Sequence, residues 1–261
     1  MREQPVLSIK NLKTYFYLAE RVVKAVDGVS LDVYAGRITA IVGGSGSGKS
    51  VMSLSILDLV DAPGRIMGGE IWLNGVNLRE LREKQLLQIR GKEISMIFQE
   101  PTSAMNPVLT VKSHLFEVIR THNRAISNKA AISLFRDVLA RVGLRNADQI
   151  LASYPFELSG GMCQRVMVAM GLLAQSKVLI ADEPTSSLDL TTQAAILAEL
   201  TGLKNAGMAV VLITHDLGVV AQMADDVYVI KDGKIVDSGT VYDVFESPRH
   251  EYTKSLLASI F

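Results

Sequence analysis

The chain has 261 residues, and its 27 Lys and Arg residues balance 27 Asp and Glu residues. Zero formal net charge gives no basic footprint for nucleic acid, and 48% hydrophobic residues exclude a disordered or collagen-like chain. One cysteine, Cys163, excludes an intramolecular disulfide. No apolar run approaches the ~20 residues of a membrane span, and the N-terminus lacks an apolar signal region. We therefore expect a soluble protein of the reducing cytoplasm.

The first part of the chain reads as short strands followed by a glycine-rich turn. Strands are predicted at Val6–Ile9, Val29–Val33 and Ile38–Val42. The turn spans residues 43–48, and a helix begins near Lys49. Residues 68–69 (Gly-Gly) and 74–75 (Asn-Gly) bracket a strand at 70–73, which predicts a hairpin. Another apolar strand follows at 94–98.

The pattern changes after Gln99, because helical periodicity replaces strand patterns over about residues 100–175. Strands resume at Val178–Ala181 and Ala209–Ile213, separated by a helix at Thr191–Asn205. Asp-Gly at 232–233 predicts a hairpin turn, and helices at 241–246 and 251–260 end the chain. We expect one domain over residues 1–261. It comprises an α/β core, a helical insert at about 100–175 and a short helical tail at about 241–261.

The strongest motif is GGSGSGKS at residues 43–50, which matches G-x-x-x-x-G-K-[ST] between a predicted strand and a predicted helix. Its glycines let backbone N–H groups surround phosphate oxygens, and the helix N-terminus adds partial positive charge. We expect Lys49 to reach the β- and γ-phosphates and the Ser50 hydroxyl to bind Mg²⁺. The alternative is a flexible glycine-rich turn, but the full motif between a strand and a helix favours a phosphate loop.

A second motif follows the apolar strand that begins at Val178 and delivers Asp182 and Glu183 at its carboxyl end. Ligands of α/β sheets bind at this end of the strands. Asp182 would belong to the Mg²⁺ shell and Glu183 would act as general base on the attacking water. Alone, the pair could equally be a strand end before Pro184, but the phosphate loop strengthens the catalytic interpretation.

A third motif is LSGGMCQR at residues 158–165. It reads either as a capped helix start or as a second anion site made of the Ser159 hydroxyl, glycine N–H groups and a helix dipole. One nucleotide rarely needs two phosphate sites on one chain. This second site is therefore best explained as serving a nucleotide bound to another chain.

Together these three motifs resemble the ATP-binding domain of ABC transporters, with 158–162 and Gln164 matching the family's signature. The resemblance implies a P-loop ATPase core with a mixed sheet flanked by helices, an N-terminal antiparallel β subdomain and an inserted helical subdomain. It also implies ATP and Mg²⁺ as cofactors. The expected catalytic residues are Lys49, Glu183 and His215, the last matching the switch histidine. The expected metal ligands are Ser50, Gln99 and Asp182.

The same resemblance implies which residues contact the nucleotide. The residues expected at the nucleotide are Phe16, Gly43, Gly44, Ser45, Gly46, Ser47, Gly48, Lys49, Ser50, Val51, Gln99, Ser159, Gly160, Gly161, Gln164 and Asp189. Gln99 matches the Q-loop and Asp189 the D-loop, in which Ser187 stands where alanine is usual. Phe16 is the favoured adenine platform, and Tyr15 and Tyr17 remain alternatives.

Four stretches resemble the dipeptide, oligopeptide and nickel importer branch of the family: 98–101, 104–107, 154–157 and 247–253. The chain ends without the cysteine-bearing extension usual in peptide importers, which favours nickel or metal–chelate uptake over peptides. The implied partners are a second ATPase subunit, either a paralogue or a second copy, in a head-to-tail dimer, two membrane permeases and, indirectly, an extracytoplasmic solute-binding protein. The implied location is the cytoplasmic face of the cell membrane, and nucleic acid is not an expected partner. The alternative function is a soluble, non-transport ATPase acting on DNA or ribosomes.

Overall fold

The computed structural model describes residues 4–122 and 125–258. A six-stranded sheet in the order β10-β9-β3-β8-β7-β6 forms its centre. Neighbouring strands are parallel except for the antiparallel edge strand β10. The strands are β3 (Ile38–Val42), β6 (Ile94–Ile97), β7 (Val178–Asp182), β8 (Ala209–Ile213), β9 (Asp226–Lys231) and β10 (Lys234–Thr240). The predicted α/β core is confirmed.

The central strands are short and almost entirely apolar, because other elements of the chain cover both of their faces. Every residue of β3, β7 and β8 is buried. The carboxyl ends of these three parallel strands therefore meet at one edge of the sheet. The Asp-Gly turn at 232–233 joins β9 and β10, with Asp232 at φ 47° and Gly233 at φ 75°. The predicted hairpin is confirmed.

A separate antiparallel sheet has the order β2-β1-β4-β5. Its strands are β1 (Leu7–Tyr17), β2 (Val22–Val33), β4 (Gly64–Leu73) and β5 (Val76–Asn77). The predicted strands were much too short for β1 and β2, because register shifts in their pairing break the alternation of apolar and polar residues. Residues 68–69 lie inside β4 rather than at its boundary: a Cβ on Gly69 would lie 2.6 Å from the Asn11 carbonyl oxygen, so the paired strands approach too closely for a side chain.

Eleven α-helices occur among the described residues. They are α1 (Lys49–Ile56), α2 (Glu83–Ile89), α3 (Pro101–Ala104), α4 (Val111–His122), α5 (Asn128–Arg141), α6 (Ala147–Ala152), α7 (Gly160–Leu173), α8 (Leu190–Asn205), α9 (Leu217–Met223), α10 (Val241–Glu246) and α11 (Glu251–Ala258). Helices α3 to α7 all lie between β6 and β7 in the chain. The end predicted for the last helix, Ile260, lies outside the described residues.

Three apolar clusters hold these layers together. The largest surrounds the fully buried Phe135 and joins helices α4 to α7 to one face of the central sheet. The second lies between the antiparallel sheet, α1 and the opposite face of the central sheet. The third packs α9 to α11 against β9. Across the two described segments, no helix combines the length and apolar character needed to cross a membrane.

Candidate active site

The phosphate loop is the turn between β3 and α1. Gly46 and Gly48 have φ values of 74° and 105°, which residues with a side chain rarely adopt. At Gly48, the N-cap of α1, an added Cβ would lie 2.0 Å from the Ala25 carbonyl oxygen. The loop therefore packs directly on β2, and its glycines are required by backbone geometry. The loop aims the open N-terminus of α1 into a cleft.

Lys49 is buried at the first residue of α1 and folds back over its own loop. Its Nζ donates hydrogen bonds to the carbonyl oxygens of Gly43 and Gly44, at 2.9 and 3.0 Å. Burial lowers the pKa of this ammonium, although the charges of Glu183 and Asp182 oppose the shift. An anion entering the cleft would supply the counter-charge that the loop carbonyls supply only in part.

The turn between β9 and β10 contacts the phosphate loop, and the sequence did not predict this contact. Gly233, in the β9–β10 turn, donates its N–H to the Ser47 carbonyl oxygen at 3.0 Å and accepts from the Asp27 N–H at 2.8 Å. A Cβ on Gly233 would lie 2.8 Å from the carbonyl oxygens of Lys24 and Ala25. The sequence identified this glycine as part of a turn, but it carried no sign that the turn contacts the phosphate loop.

Asp182 is the last residue of β7 and is almost completely buried, with 1% of its surface exposed. Burial raises the pKa of its carboxyl to about 6, and the neighbouring Glu183 charge adds to the rise. Its Oδ2 accepts a long hydrogen bond of 3.5 Å from the Ser53 hydroxyl. Its Oδ1 is buried without a hydrogen-bond partner, an arrangement that costs free energy unless something positive binds there.

The other two expected metal ligands lie together nearby. The Ser50 hydroxyl donates to Oε1 of Gln99 at 3.3 Å, and Ser50 also lies close enough to Asp182 to lower that carboxyl's pKa. Hydroxyl, amide and carboxylate oxygens are the donors that Mg²⁺ prefers. This donor set, with the unpartnered Oδ1 of Asp182, fits a Mg²⁺ ion.

Glu183 and His215 form a hydrogen-bonded pair at the mouth of the cleft. His215 Nδ1 lies 2.9 Å from Glu183 Oε1. Glu183 is 14% exposed, whereas His215 is 65% exposed and faces solvent. Glu183 has φ 46°, an unfavourable value for a residue with a side chain, and strain of this kind concentrates at functional sites. The pair can accept and release a proton beside the phosphate loop.

These residues surround a cleft of 230 Å³. Its lining is Ala25, Ser45, Gly46, Ser47, Gly48, Lys49, Ser50, Val51, Gln99, Glu183 and His215. The three candidate adenine platforms are not part of that lining. Phe16 lies in β1 and pairs with Gly64 of β4. Tyr15 donates to the Asp27 carboxylate at 2.6 Å, and the Tyr17 hydroxyl contacts the Met67 sulfur.

The signature residues lie elsewhere on the surface. Ser159 is exposed and caps α7, its hydroxyl accepting from the Met162 N–H at 3.3 Å. Gly160 has open space beside it, and a Cβ on Gly161 would lie 3.4 Å from the Ser187 carbonyl oxygen. The cleft around Lys49 is not lined by Ser159, Gly160 or Gly161. Within one chain, the two anion-binding motifs are therefore separate.

Two further expected nucleotide contacts have structural roles in this chain. Gln164 is fully buried and its side-chain N–H donates to the Pro184 carbonyl oxygen at 3.2 Å, which ties the signature helix to the end of β7. Asp189 caps α8, and the Thr192 N–H and hydroxyl lower the pKa of its carboxyl. Direct contact of either residue with a nucleotide stays a prediction.

The fold and cleft define a P-loop ATPase in which Ser159, Gly160 and Gly161 do not line the cleft around Lys49. A model of the family described as ABC transporter matches residues 26–186. The chain belongs to this family and is an ABC-type ATPase. The family resemblance drawn from the motifs is thereby confirmed.

Curated relatives match over nearly the whole chain. An oligopeptide transport ATP-binding protein of Bacillus subtilis, AppD, is 46% identical over 98% of this chain and 78% of its own length. The dipeptide transport ATP-binding protein DppD of Escherichia coli is 42% identical over 98% of this chain and 78% of its own length.

Solved structures confirm the fold class. The dimeric, post-hydrolysis ATP-binding cassette MJ0796, bound to ADP and Pi, superposes with a TM-score of 0.82 at 27% identity. The match covers 90% of this chain and 98% of that one. The chain therefore has the fold of an ATP-binding cassette.

Proposed function

We propose that the chain is the ATPase subunit of an importer and hydrolyses Mg²⁺-ATP at a site completed by a second ATPase subunit, either a copy of itself or a paralogue. The observation that carries this proposal is that the exposed Ser159 and Gly160 and the half-buried Gly161 do not line the cleft around Lys49. A γ-phosphate in this cleft lacks the signature groups of its own chain, so a partner chain has to supply them. The dimeric state of the MJ0796 cassette supports such an arrangement.

In this proposal, backbone N–H groups of residues 45–50 bind the phosphates and Lys49 leaves its loop carbonyls to contact the β- and γ-phosphates. Glu183 accepts a proton from the attacking water. A carboxylate only accepts hydrogen bonds, so His215 donates to Glu183 from Nδ1. His215 thereby orients Glu183, and in its imidazolium form the second N–H, on Nε2, can donate to the γ-phosphate.

Mg²⁺ would be held by Ser50, Gln99 and Asp182, and it would neutralise charge that develops on the phosphate oxygens. Phe16 remains the favoured adenine platform. We also propose that residues 1–261 form one ATP-binding domain, in which about residues 100–175 are an insert and about residues 241–261 a short tail.

A groove beside the cleft suits contact with a membrane subunit. It has a volume of 330 Å³ and an apolar lining that includes Met96, Phe98, Met167 and Met170. Phe98 in the groove directly precedes Gln99, which lines the nucleotide cleft, so consecutive residues line the two sites. We propose that a cytoplasmic helix of a permease docks there and that Gln99 transmits the state of the nucleotide.

We propose peptides as the transported solute, with two permeases and an extracytoplasmic solute-binding protein as partners and with the chain on the cytoplasmic face of the membrane. The relatives named above transport oligopeptides and dipeptides according to their names. The comparisons do not support the nickel or metal–chelate preference drawn from the chain's length.

The proposal is tested by reconstituting the chain with its permeases, its second ATPase and its solute-binding protein in vesicles. Peptide should stimulate ATP hydrolysis and accumulate in the lumen, whereas a nickel chelate should do neither. Stimulation by nickel alone would overturn the assigned solute. Failure to associate with permeases, together with association with ribosomes or DNA, would instead support a soluble ATPase.

A further inference from the structure

The segment that links α10 to α11 is anchored to the central sheet by a buried carboxylate. Asp237 on β10 is 7% exposed, and its Oδ2 accepts the N–H groups of Arg249 and His250, at 2.9 and 3.1 Å. Its Oδ1 accepts the N–H of Ser238 at 3.0 Å. These bonds fix where α11 begins, and they use residues of the 247–253 stretch to which the ATPase mechanism assigns no role.

The anchored helix places one side chain against the phosphate loop. The Tyr252 hydroxyl accepts the Gly44 N–H at 2.7 Å, across 208 positions of sequence. Two contacts hold Tyr252 in this orientation: its own N–H donates to His250 Nδ1 at 3.0 Å, and the Lys231 ammonium lies 4.9 Å from its ring centroid. A Cβ on Gly44 would lie 3.0 Å from the Tyr252 hydroxyl oxygen, so a side chain there would crowd this contact.

The bond to Tyr252 completes a clamp on a single peptide group. The peptide that joins Gly43 to Gly44 presents its carbonyl oxygen to Lys49 Nζ at 2.9 Å and its N–H to Tyr252 at 2.7 Å. Both ends of the group are therefore satisfied by side chains, one basic and one phenolic. Hydrogen bonds that share one peptide group polarise each other and fix its plane.

We propose that Tyr252 is a positioning residue that holds the Gly43–Gly44 peptide in the orientation required for nucleotide binding. The inference rests on the ATP site proposed above. When Lys49 turns from the loop carbonyls to the phosphates, the carbonyl side of this peptide loses its partner. Tyr252 then remains as the side chain that fixes the start of the loop and, through it, the direction of the N–H groups that follow.

The test is Tyr252→Phe in the full chain, with Tyr242→Phe as the matched control, because Tyr242 is a 72% exposed tyrosine on the adjacent helix α10. One neutral hydrogen bond is removed, so Kd for Mg²⁺-ATP and KM should rise about three- to tenfold while kcat in the assembled transporter stays within about twofold. Amide hydrogen exchange at Gly44 should accelerate without nucleotide. The control should match the wild type in Kd, KM, kcat and the exchange rate at Gly44.

Wild-type Kd and KM in Tyr252→Phe would overturn the proposal, and so would a fall in kcat at unchanged KM. If Tyr252→Phe is too unstable to purify, Asp237→Asn serves instead, since it weakens the anchor of α11 and should give the same rise in KM. Unchanged KM in that variant would also overturn the proposal. The wild type is measured alongside: if it fails to bind ATP, the proposed function falls, whereas normal wild-type binding with an unaffected variant removes only the role of Tyr252.

Discussion

His215 Nδ1 lies 2.9 Å from Glu183 Oε1, although 32 positions separate the two residues in sequence. The register of two parallel strands creates this contact, because Asp182 on β7 pairs with Ile213 on β8. Glu183 follows the first strand by one residue and His215 follows the second by two, so both emerge at the same edge of the sheet. The hydrogen bond couples the proposed base to a side chain that solvent and a nucleotide can reach.

Glu183→Gln should slow ATP hydrolysis by about 10²–10⁴-fold and leave ATP binding intact, because an amide cannot accept the proton of the attacking water. Hydrolysis is measured in the assembled complex and binding by titration of the purified chain. Glu246→Gln, on the exposed surface of α10, is the matched control and should hydrolyse normally. Hydrolysis at the wild-type rate in Glu183→Gln would exclude Glu183 as the base.

Lys49→Ala should abolish ATP binding while the fold is retained. The substitution removes two hydrogen bonds to loop carbonyls but also removes a buried ammonium whose pKa is lowered by burial, so the two effects on stability oppose each other. Nucleotide affinity and thermal unfolding are measured on the same sample. Lys84→Ala, on the exposed face of α2, controls for the loss of a positive charge. A folded Lys49→Ala chain that binds and hydrolyses ATP normally would contradict the assignment.

The strands and motifs that are encoded locally could be predicted from the sequence. Ile38–Val42 and Ala209–Ile213 form strands with the predicted bounds, because strands buried on both faces need continuous apolar runs. The phosphate loop needs glycines at fixed positions, so its motif is visible in the sequence as well. The start of β2 at Val22 was not predicted, because this strand is half exposed and its pairing shifts register.

Contacts between segments that are distant in sequence could not be predicted from the sequence. Nothing around Gly233 or Tyr252 indicates that these residues donate to or accept from the phosphate loop, since the register of the sheet and the anchoring of α11 decide both contacts. Gln164 is a further example. The family motif predicts a nucleotide contact, which stays a prediction, but the sequence did not indicate that Gln164 is buried and donates to the Pro184 carbonyl oxygen.

Asp182→Asn should stabilise the chain at neutral pH in the absence of metal. The folded carboxyl has its pKa raised from 3.8 to about 6, so between these values the folded state binds a proton that the unfolded state has lost. Stability of the wild type therefore falls as pH rises through this window and stays reduced above it. Asparagine does not titrate, so the advantage of the variant should grow from about pH 4 to about pH 6 and then level off.

Thermal unfolding of both chains across this range, with a chelator present, measures the difference. The same variant should bind Mg²⁺-ATP more weakly, because it lacks the charge of a proposed metal ligand. Asp61→Asn, at an exposed position before β4, is the control for loss of one surface carboxylate. If the difference in stability between the two chains does not change with pH, ionisation of the buried Asp182 carboxyl does not destabilise the fold.

Ser159→Arg should leave ATP binding at this chain's own cleft nearly intact, because Ser159 does not line it. Hydrolysis at the partner's cleft should fall instead, since a bulky side chain replaces the small hydroxyl that approaches phosphate. The substitution also removes the cap of α7, worth about 1 kcal/mol. Ser127→Arg is the matched control, because Ser127 caps α5 with the same 3.3 Å bond to a backbone N–H. It should lose similar stability but keep hydrolysis.

Double variants in a complex of two different ATPase chains then show which of the two clefts Ser159 serves. Ser159→Arg combined with loss of the partner's general-base glutamate should resemble the worse single variant, because both changes affect one composite site. Ser159→Arg combined with Glu183→Gln in this chain affects two sites and should remove nearly all hydrolysis. The reverse pattern would mean that Ser159 serves the nucleotide of its own chain. A head-to-tail dimer would then no longer explain why the signature and the phosphate loop lie apart.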